Sequence, residues 1–299
     1  MLDDPPGQVR MIAFWGEPGA HEPTQDTPVT FLGVDGRWRK LTKRDLGDDL
    51  GYLSSGQDTL SPDGSRWVVA SRGWNRMVNF RTGELVKLTD LFTSYASWSP
   101  DSRAVALWSM TKPGLEVFDR AGRRIASLPI SLKKRRVLMP NRRHITIFEP
   151  AALRPAPRIR FTTYDLDGMP VGTAYCALPS GYPPRATGVD GYDGDRLWIS
   201  AQLDSEQGLF RYSVIGTSAG TVVQDFQHAG YVPYIEQQVQ PGVYVTTIGG
   251  GPDGIYAVDP DTGEMARISR IGLYPNQEGY ENHANDQFAR DLIFNTGHR

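Results

Sequence analysis

The sequence predicts an all-β fold made of repeated units, and a recurring phrase is the first evidence for it. Residues 61–66 read Ser-Pro-Asp-Gly-Ser-Arg, and residues 99–103, which begin 38 positions later, read Ser-Pro-Asp-Ser-Arg. Each copy leads into an apolar run, which is typical of a tight turn that opens a β-strand. A period of this size indicates a repeat architecture, because one unit cannot bury its own apolar face and needs neighbours to cover it.

A series of hairpin glycines gives the number of units. These glycines lie at positions 36, 83, 122, 168, 220 and 263, with separations of 47, 39, 46, 52 and 43 residues. Roughly 40–50 residues is the length of a four-stranded propeller blade. The 32 glycines and 22 prolines agree with frequent turns, and no long amphipathic helical pattern interrupts them. We therefore predict an all-β protein with a single β-propeller of six four-stranded blades, seven being the alternative.

The order of the apolar runs predicts the blade boundaries and the closure of the ring. We predict one domain over 1–299, with units at 9–48, 52–92, 93–132, 133–182, 185–231 and 232–275. The first unit matches the second, third and fourth strands of a blade that lacks its first. Residues 289–294 match the missing strand, which would pair with the N-terminal strand and remove an exposed sheet edge. The alternative for 276–299 is a helical or disordered tail.

The repeated phrase also carries a family resemblance. Ser-Pro-Asp-Gly-x-Arg before an apolar strand, with Asp-x-x-x-Gly hairpins between copies, resembles the WD40-like and TolB-like propeller repeats of bacteria. The resemblance is clear over 52–92 and 93–132 and weaker over 133–275. It implies a binding platform with no catalytic residues or cofactors to carry over. TolB-like relatives usually act outside the cytoplasm, so it implies an extracytoplasmic or membrane-anchored protein if a segment precedes Met1, and a cytoplasmic protein otherwise.

Charge and hydropathy exclude two classes of partner. The formal net charge is −2, so no overall basic field points to nucleic acid. No apolar run approaches the 18 or so residues of a membrane span, although an anchor upstream of this sequence stays open. We expect a monomer that binds a protein or peptide and needs no cofactor.

The leading functional prediction is a non-catalytic platform that binds its partner through one face of the propeller. The connections before each first strand and the loops after each second strand surround the mouth of the central channel, and we call this the channel-mouth face. Tyr, Trp, Arg and Met are enriched at the cores of interfaces. The candidates on this face are Arg72, Trp74, Asn75, Tyr95, Met110, Lys112, Tyr182, Tyr231, Tyr234 and Tyr274. The alternative for the tyrosines is packing between blades, with their hydroxyls bonded to the backbone.

Two further functions stay open at this stage. One is a metal-dependent, lactonase-like hydrolase with its site in the channel, and the other is a sensor of a small ligand or glycan. The weak metal candidates are Asp190, Asp193, Asp195, Glu281 and Asp286. None of the acidic turns has the full Asp-x-Asp-x-Asp-Gly spacing of a calcium loop with its later Glu. Polar turns and loops are therefore the favoured interpretation of these acidic residues.

Overall fold

Repeated β-strands make up nearly all of the regular structure in this computed structural model. The described residues are 4–15, 29–41, 59–69, 75–90, 95–109, 113–130, 132, 136–151, 158–178, 180–182, 187–192, 196–204, 209–216, 221–228, 233–240, 243–248, 255–258, 265–269 and 289–294. Within these ranges there are 23 strands and no α-helix. The all-β prediction is confirmed.

The strands follow one another along the chain at short intervals. The first ten are β1 (Val9–Trp15), β2 (Val29–Gly33), β3 (Trp38–Leu41), β4 (Arg66–Val69), β5 (Asn75–Asn79), β6 (Leu85–Thr89), β7 (Tyr95–Trp98), β8 (Ala104–Trp108), β9 (Leu115–Asp119) and β10 (Arg124–Leu128). The next eight are β11 (Arg136–Asn141), β12 (His144–Ala151), β13 (Arg158–Asp165), β14 (Pro170–Ala177), β15 (Thr187–Tyr192), β16 (Arg196–Asp204), β17 (Leu209–Gly216) and β18 (Thr221–His228). The last five are β19 (Pro233–Gln240), β20 (Val243–Ile248), β21 (Ile255–Val258), β22 (Met265–Ser269) and β23 (Ala289–Phe294).

The described strands form six antiparallel sheets, and five of these are each built from one short stretch of chain. Five sheets have four strands and the second, β4-β5-β6, has three. An isolated bridge between Leu60 and Trp67 lies directly before the turn at 61–65, where a first strand of this second sheet would end. The strands of the second to sixth sheets each lie within one of the predicted units, and the first sheet adds β23 to the strands of the first unit. Six blades for the whole chain stays a prediction, because it includes the segments between these strands.

The ring is closed by strands from opposite ends of the sequence. The first sheet has the order β23-β1-β2-β3, and β1 pairs antiparallel with β23 from Met11 opposite Phe294 to Trp15 opposite Ala289. β19, the first strand of the sixth sheet, lies beside β23. The predicted pairing of the N-terminal and C-terminal strands is therefore observed. It removes the edge that β1 would otherwise expose.

The hydrophobic core is divided into clusters that lie between successive sheets. In β8, Ala104, Ala106 and Trp108 join the cluster shared with the fourth sheet. Val105 and Leu107 join the cluster shared with the second sheet. Successive side chains of a strand point to opposite faces, so one continuously apolar strand covers two neighbours. This alternation stacks the sheets face to face around the ring, as in a propeller.

The recurring Ser-Pro-Asp phrase forms the turn between the first and second strands of a unit. Ser61 Oγ accepts from the Arg66 N–H at 2.9 Å and donates to the Asp63 carboxylate at 2.8 Å. Ser99 Oγ repeats the pattern, accepting from the Ala104 N–H at 3.0 Å and donating to Asp101 at 2.7 Å. These bonds satisfy the polar backbone of a tight turn, which explains why the phrase precedes each strand.

Gly122 lies at a close approach between two units. Its φ is +80°, and a Cβ at this position would come within 2.5 Å of Val86 Cγ1 on β6 of the preceding sheet. Gly36 has a similar φ of +77° but has open space where a Cβ would lie. A non-glycine residue with this backbone conformation costs about 1–2 kcal/mol.

We expect Gly122→Ala to lower the free energy of unfolding by about 2 kcal/mol, because it adds a clash to the unfavourable φ. Gly36→Ala is the matched control and should cost only about 1 kcal/mol, from the φ alone. Urea denaturation of both variants measures the difference. Equal losses would show that Val86 moves aside without cost.

Candidate functional site

Four of the ten candidate residues of the channel-mouth face lie within the described residues. Asn75 begins β5, Tyr95 begins β7, Tyr182 precedes β15, and Tyr234 lies within β19. The remaining candidates, Arg72, Trp74, Met110, Lys112, Tyr231 and Tyr274, lie outside the described residues. The side chains of the first three described candidates show which of them could meet a partner.

Tyr95 is a half-buried aromatic residue at the channel-mouth end of the innermost strand of its sheet. It is directly opposite Trp108 in the strand pairing, and the two rings stack with centroids 5.6 Å apart and an interplanar angle of 21°. Trp108 is buried in the core between the third and fourth sheets. Tyr95 is therefore held by a rigid ring beneath it while part of its own surface stays exposed.

Asn75 is not available on the surface, contrary to its placement among the candidate contacts. Its side chain is fully buried, and Nδ2 donates to the Thr89 carbonyl on β6 at 3.3 Å. The sequence predicted that Asn75 lies in a loop. It is instead the first residue of β5, where it lies opposite Thr89 of β6 in the strand pairing. Its amide supports the end of the sheet.

Tyr182 is also buried and belongs to the core between the fourth and fifth sheets. Its hydroxyl and Ser213 Oγ are 2.7 Å apart, and the Arg211 guanidinium lies 4.9 Å from the ring centroid. The alternative of packing between blades describes this residue, with a side-chain partner in place of a backbone one. A buried tyrosine hydroxyl of this kind needs such a partner.

We expect Tyr182→Phe to lower the free energy of unfolding by about 1 kcal/mol, because Ser213 Oγ loses a hydrogen bond inside the core. The ring and its contacts with Arg211 are retained. Thermal denaturation of the variant, beside Ser213→Ala and the double variant, measures the coupling of the two hydroxyls. Additive losses in the double variant would contradict a direct bond.

The metal candidates are not brought together by the part of the chain that the structure describes. Asp190 lies in β15, and Asp193, Asp195, Glu281 and Asp286 are outside the described residues. Among the described residues, no group of three or more His, Cys, Asp or Glu side chains could hold a metal ion. The hydrolase and the calcium site therefore stay predictions from the sequence.

A polar network at the opposite edge of the ring was not anticipated from the sequence. We call this edge the turn edge, and it contains the turns at 61–65, 99–103 and 119–123. Arg120 Nη2 donates to Asp63 Oδ2 at 2.9 Å and to Ser65 Oγ at 2.8 Å. The Asp63 N–H donates to Ser102 Oγ at 2.9 Å. Turns of the second and third sheets are thus joined by side chains that the repeat pattern assigns to separate units.

The surroundings of Asp63 favour its ionised form. Burial alone would raise the pKa of this carboxyl, but hydrogen bonds from the Ser65 N–H and the Ser61 and Ser65 hydroxyls oppose it, as does the charge of Arg120. The net result is a pKa below the ordinary value. Asp63 is held as an anion at neutral pH and acts as an electrostatic link between two units.

Asp35, in the hairpin between β2 and β3, is a second carboxyl whose surroundings favour the ionised form. Hydrogen bonds from the Arg39 side chain and the Arg37 backbone lower the pKa of Asp35 to about 2. Arg39 also pairs with Asp4, at 3.1 Å, which ties the chain before β1 to the β2–β3 hairpin. These groups neutralise one another and are not poised to transfer protons at neutral pH.

Exposed apolar side chains are concentrated on one outermost strand. Met169, Val171 and Tyr175, just before and within β14, have exposed fractions of 63%, 55% and 47%. In the sequence this strand has the pattern of an ordinary β-strand, which gives no signal of its exposure. Large apolar groups left exposed together are a mark of an interaction surface.

Comparison with solved structures agrees with the geometry. The β-propeller domain of the Trilobed protease from Pyrococcus furiosus, which has an open velcro topology, superposes with a TM-score of 0.53 at 12% identity, covering 88% of this chain and 82% of that domain. The chain is a β-propeller repeat protein. At this identity the similarity shows the fold alone.

Two further solved proteins are similar to this chain over part of their own length. Dihydro-heme d1 dehydrogenase NirN is 16% identical over 94% of this chain, with a TM-score of 0.46. The acylaminoacyl peptidase of Pyrococcus horikoshii is 12% identical over 81% of this chain, with a TM-score of 0.49. The chain spans 58% of the first protein and 41% of the second.

The remaining comparisons add no family. No protein-family model matches the sequence, and no curated protein matches it significantly. In the described part of the chain, no helix is long and apolar enough to cross a membrane.

Proposed function

We propose that this propeller is a non-catalytic platform that binds a protein or peptide partner through its channel-mouth face. The observation that carries the proposal is the Tyr95–Trp108 stack at that face. A partly exposed ring fixed on a buried one presents a rigid contact at little cost in conformational entropy, which is a property of interface anchors. Trp74, Tyr231 and Tyr274 are expected to extend this surface on neighbouring units.

The position of the charged groups supports binding at the mouth over use of the turn edge. On the turn edge, Asp63 pairs with Arg120 and Asp35 with Arg39, so these four charges satisfy one another. A partner docking there would have to replace these pairs. The channel-mouth face is expected instead to present aromatic and basic side chains, such as Trp74, Tyr231 and Arg72, which are types enriched in interface cores.

The test is affinity enrichment from a lysate of the source organism with three immobilised forms of the protein. These are the unchanged chain, a Trp74→Ala/Tyr231→Ala variant, and Arg142→Ala as the matched control, because Arg142 is exposed in a turn on the opposite edge. We expect the unchanged chain and the control to retain the same protein and the double variant to lose it. Equal retention by all three forms would overturn the use of this face.

A further inference from the structure

The outer edge of β14 is available for pairing with another strand. β14 is the outermost member of the sheet β11-β12-β13-β14, and in the described part of the chain no strand pairs with its other edge. Seven of its eight residues are exposed. An edge of this kind presents unpaired N–H and C=O groups that are a template for a further strand.

The composition of β14 lacks the charged residues that protect an edge strand, and its single proline, Pro170, is confined to the first position. Each other outermost strand of the six sheets contains at least one charged residue, which hinders edge pairing. These residues are Arg39 and Lys40 in β3, Lys87 in β6, Arg124 in β10, Asp225 in β18 and Arg267 in β22. β14 has the sequence PVGTAYCA and contains none. It is also eight residues long, whereas β3, β6, β10 and β22 have four or five.

The inner side of the same strand is fixed in the core. Cys176 is fully buried with Ile159 and Phe161 between the fourth and fifth sheets. Residues 172–177 pair in regular register with β13, and the register shifts only at the start, between Gly172 and Pro170. β14 is therefore a rigid edge over its last six residues, and pairing there needs little rearrangement of the strand.

Charges at the two ends of β14 indicate what covers this edge. Asp165 and the exposed Asp167 lie in the turn that precedes the strand. At the other end, Arg158 and Arg160 on β13 lie opposite Ala177 and Tyr175, and Arg160 also pairs with Glu149. Since Glu149 offsets the charge of Arg160, the basic end depends on the exposed Arg158, and the edge is acidic at one end, basic at the other and uncharged between. An antiparallel copy of the same edge places acidic end against basic end, whereas a parallel copy opposes like charges.

We propose that β14 pairs antiparallel with β14 of a second copy of this chain, forming a homodimer through a continuous eight-stranded sheet. The contact is isologous, because a twofold axis relates two identical strands and closes the assembly at two subunits. Exposed Val171 and Tyr175 are covered in the dimer, and the channel-mouth faces stay open. The inference replaces the expectation of a monomer and does not depend on the proposed function.

Sedimentation velocity over a range of concentrations tests the dimer. In the dimer, Thr173→Lys brings the lysines of the two subunits close together on the paired strands. Because like charges on paired strands repel, we expect the dimer dissociation constant to rise about tenfold or more. Val222→Lys on β18 is the matched control, because Val222 is 42% exposed on another eight-residue outermost strand. It should leave the dimer unchanged. A monomer at all concentrations, or equal effects of the two lysines, would overturn the proposal.

Hydrogen exchange of the unchanged protein provides a readout that needs no variant. At concentrations where the dimer is populated, amides in peptides covering 170–177 should exchange more slowly than in dilute solution. Peptides covering β10 and β18 should exchange at the same rate in both. Protection that appears at β10 or β18 and not at β14 would locate the dimer contact elsewhere and contradict the pairing.

Discussion

Trp108→Ala is expected to lower the free energy of unfolding by about 3–5 kcal/mol, the largest effect of any substitution considered for this protein. Trp108 is buried between the third and fourth sheets, with Tyr95 stacked on its ring. Its removal leaves a cavity lined by side chains of both sheets, which rigid strands cannot fill by collapse. Urea denaturation followed by circular dichroism measures the loss.

Trp38→Ala is the matched control for this prediction. Trp38 is 45% exposed at the start of the outermost strand β3. The same change of side chain there removes less buried surface and leaves no closed cavity, so we expect a loss of about 1–2 kcal/mol. Comparable losses for the two variants would show that the core between the third and fourth sheets repacks around the missing indole.

Asp63→Ala is expected to lower the free energy of unfolding by about 2–3 kcal/mol. The carboxylate accepts hydrogen bonds from Ser61, Ser65 and Arg120, and its removal leaves the guanidinium of Arg120 partly buried without its counter-charge. Bonds to charged groups contribute more than neutral ones, although partial exposure reduces the effect. Asp101→Ala is the control, because Asp101 has the same place in the next repeat and is exposed. It should cost about 1 kcal/mol.

The same link predicts a dependence on pH. The pKa of Asp63 is lower in the folded protein than its ordinary value. Its contribution to stability is therefore complete above the unfolded pKa of about 3.9 and is lost as the pH falls through the folded value. The stability difference between the unchanged protein and Asp63→Ala should be constant from about pH 6 to 8 and shrink below about pH 4. A difference that grows in acid would have the wrong sign for this mechanism.

Local features of the fold could be predicted from the sequence because they depend on short segments. The Ser-Pro-Asp phrase encodes its own turn through bonds within six residues, as Ser61 shows with Asp63 and Arg66. The missing first strand of the first unit predicted the pairing with 289–294, since an unpaired edge needs a partner. Hairpin glycines such as Gly122 marked the turns because they adopt positive φ.

Contacts between units could not be predicted in the same way. The Asp63–Arg120 bond joins residues 57 positions apart in neighbouring sheets, and nothing in either turn specifies the other. The sequence placed Tyr95 and Tyr182 alike, just before first strands, yet Tyr95 begins β7 and is partly exposed, whereas Tyr182 is buried beside Ser213. Packing against the neighbouring sheet determines whether each tyrosine is exposed or buried. Asn75 was misplaced for a simpler reason, since the start of a strand is poorly marked by its sequence.

The pairing of β1 with β23 has a consequence for the protein during synthesis. Met11 and Phe294 are 283 residues apart in the sequence, so β1 leaves the ribosome long before its partner strand exists. At translation rates of about 5–20 residues per second, it waits roughly 15–55 s with an open edge. Throughout that interval the nascent chain exposes a strand that other chains can capture, and a chaperone that shields the first 15 residues would protect the growing ring.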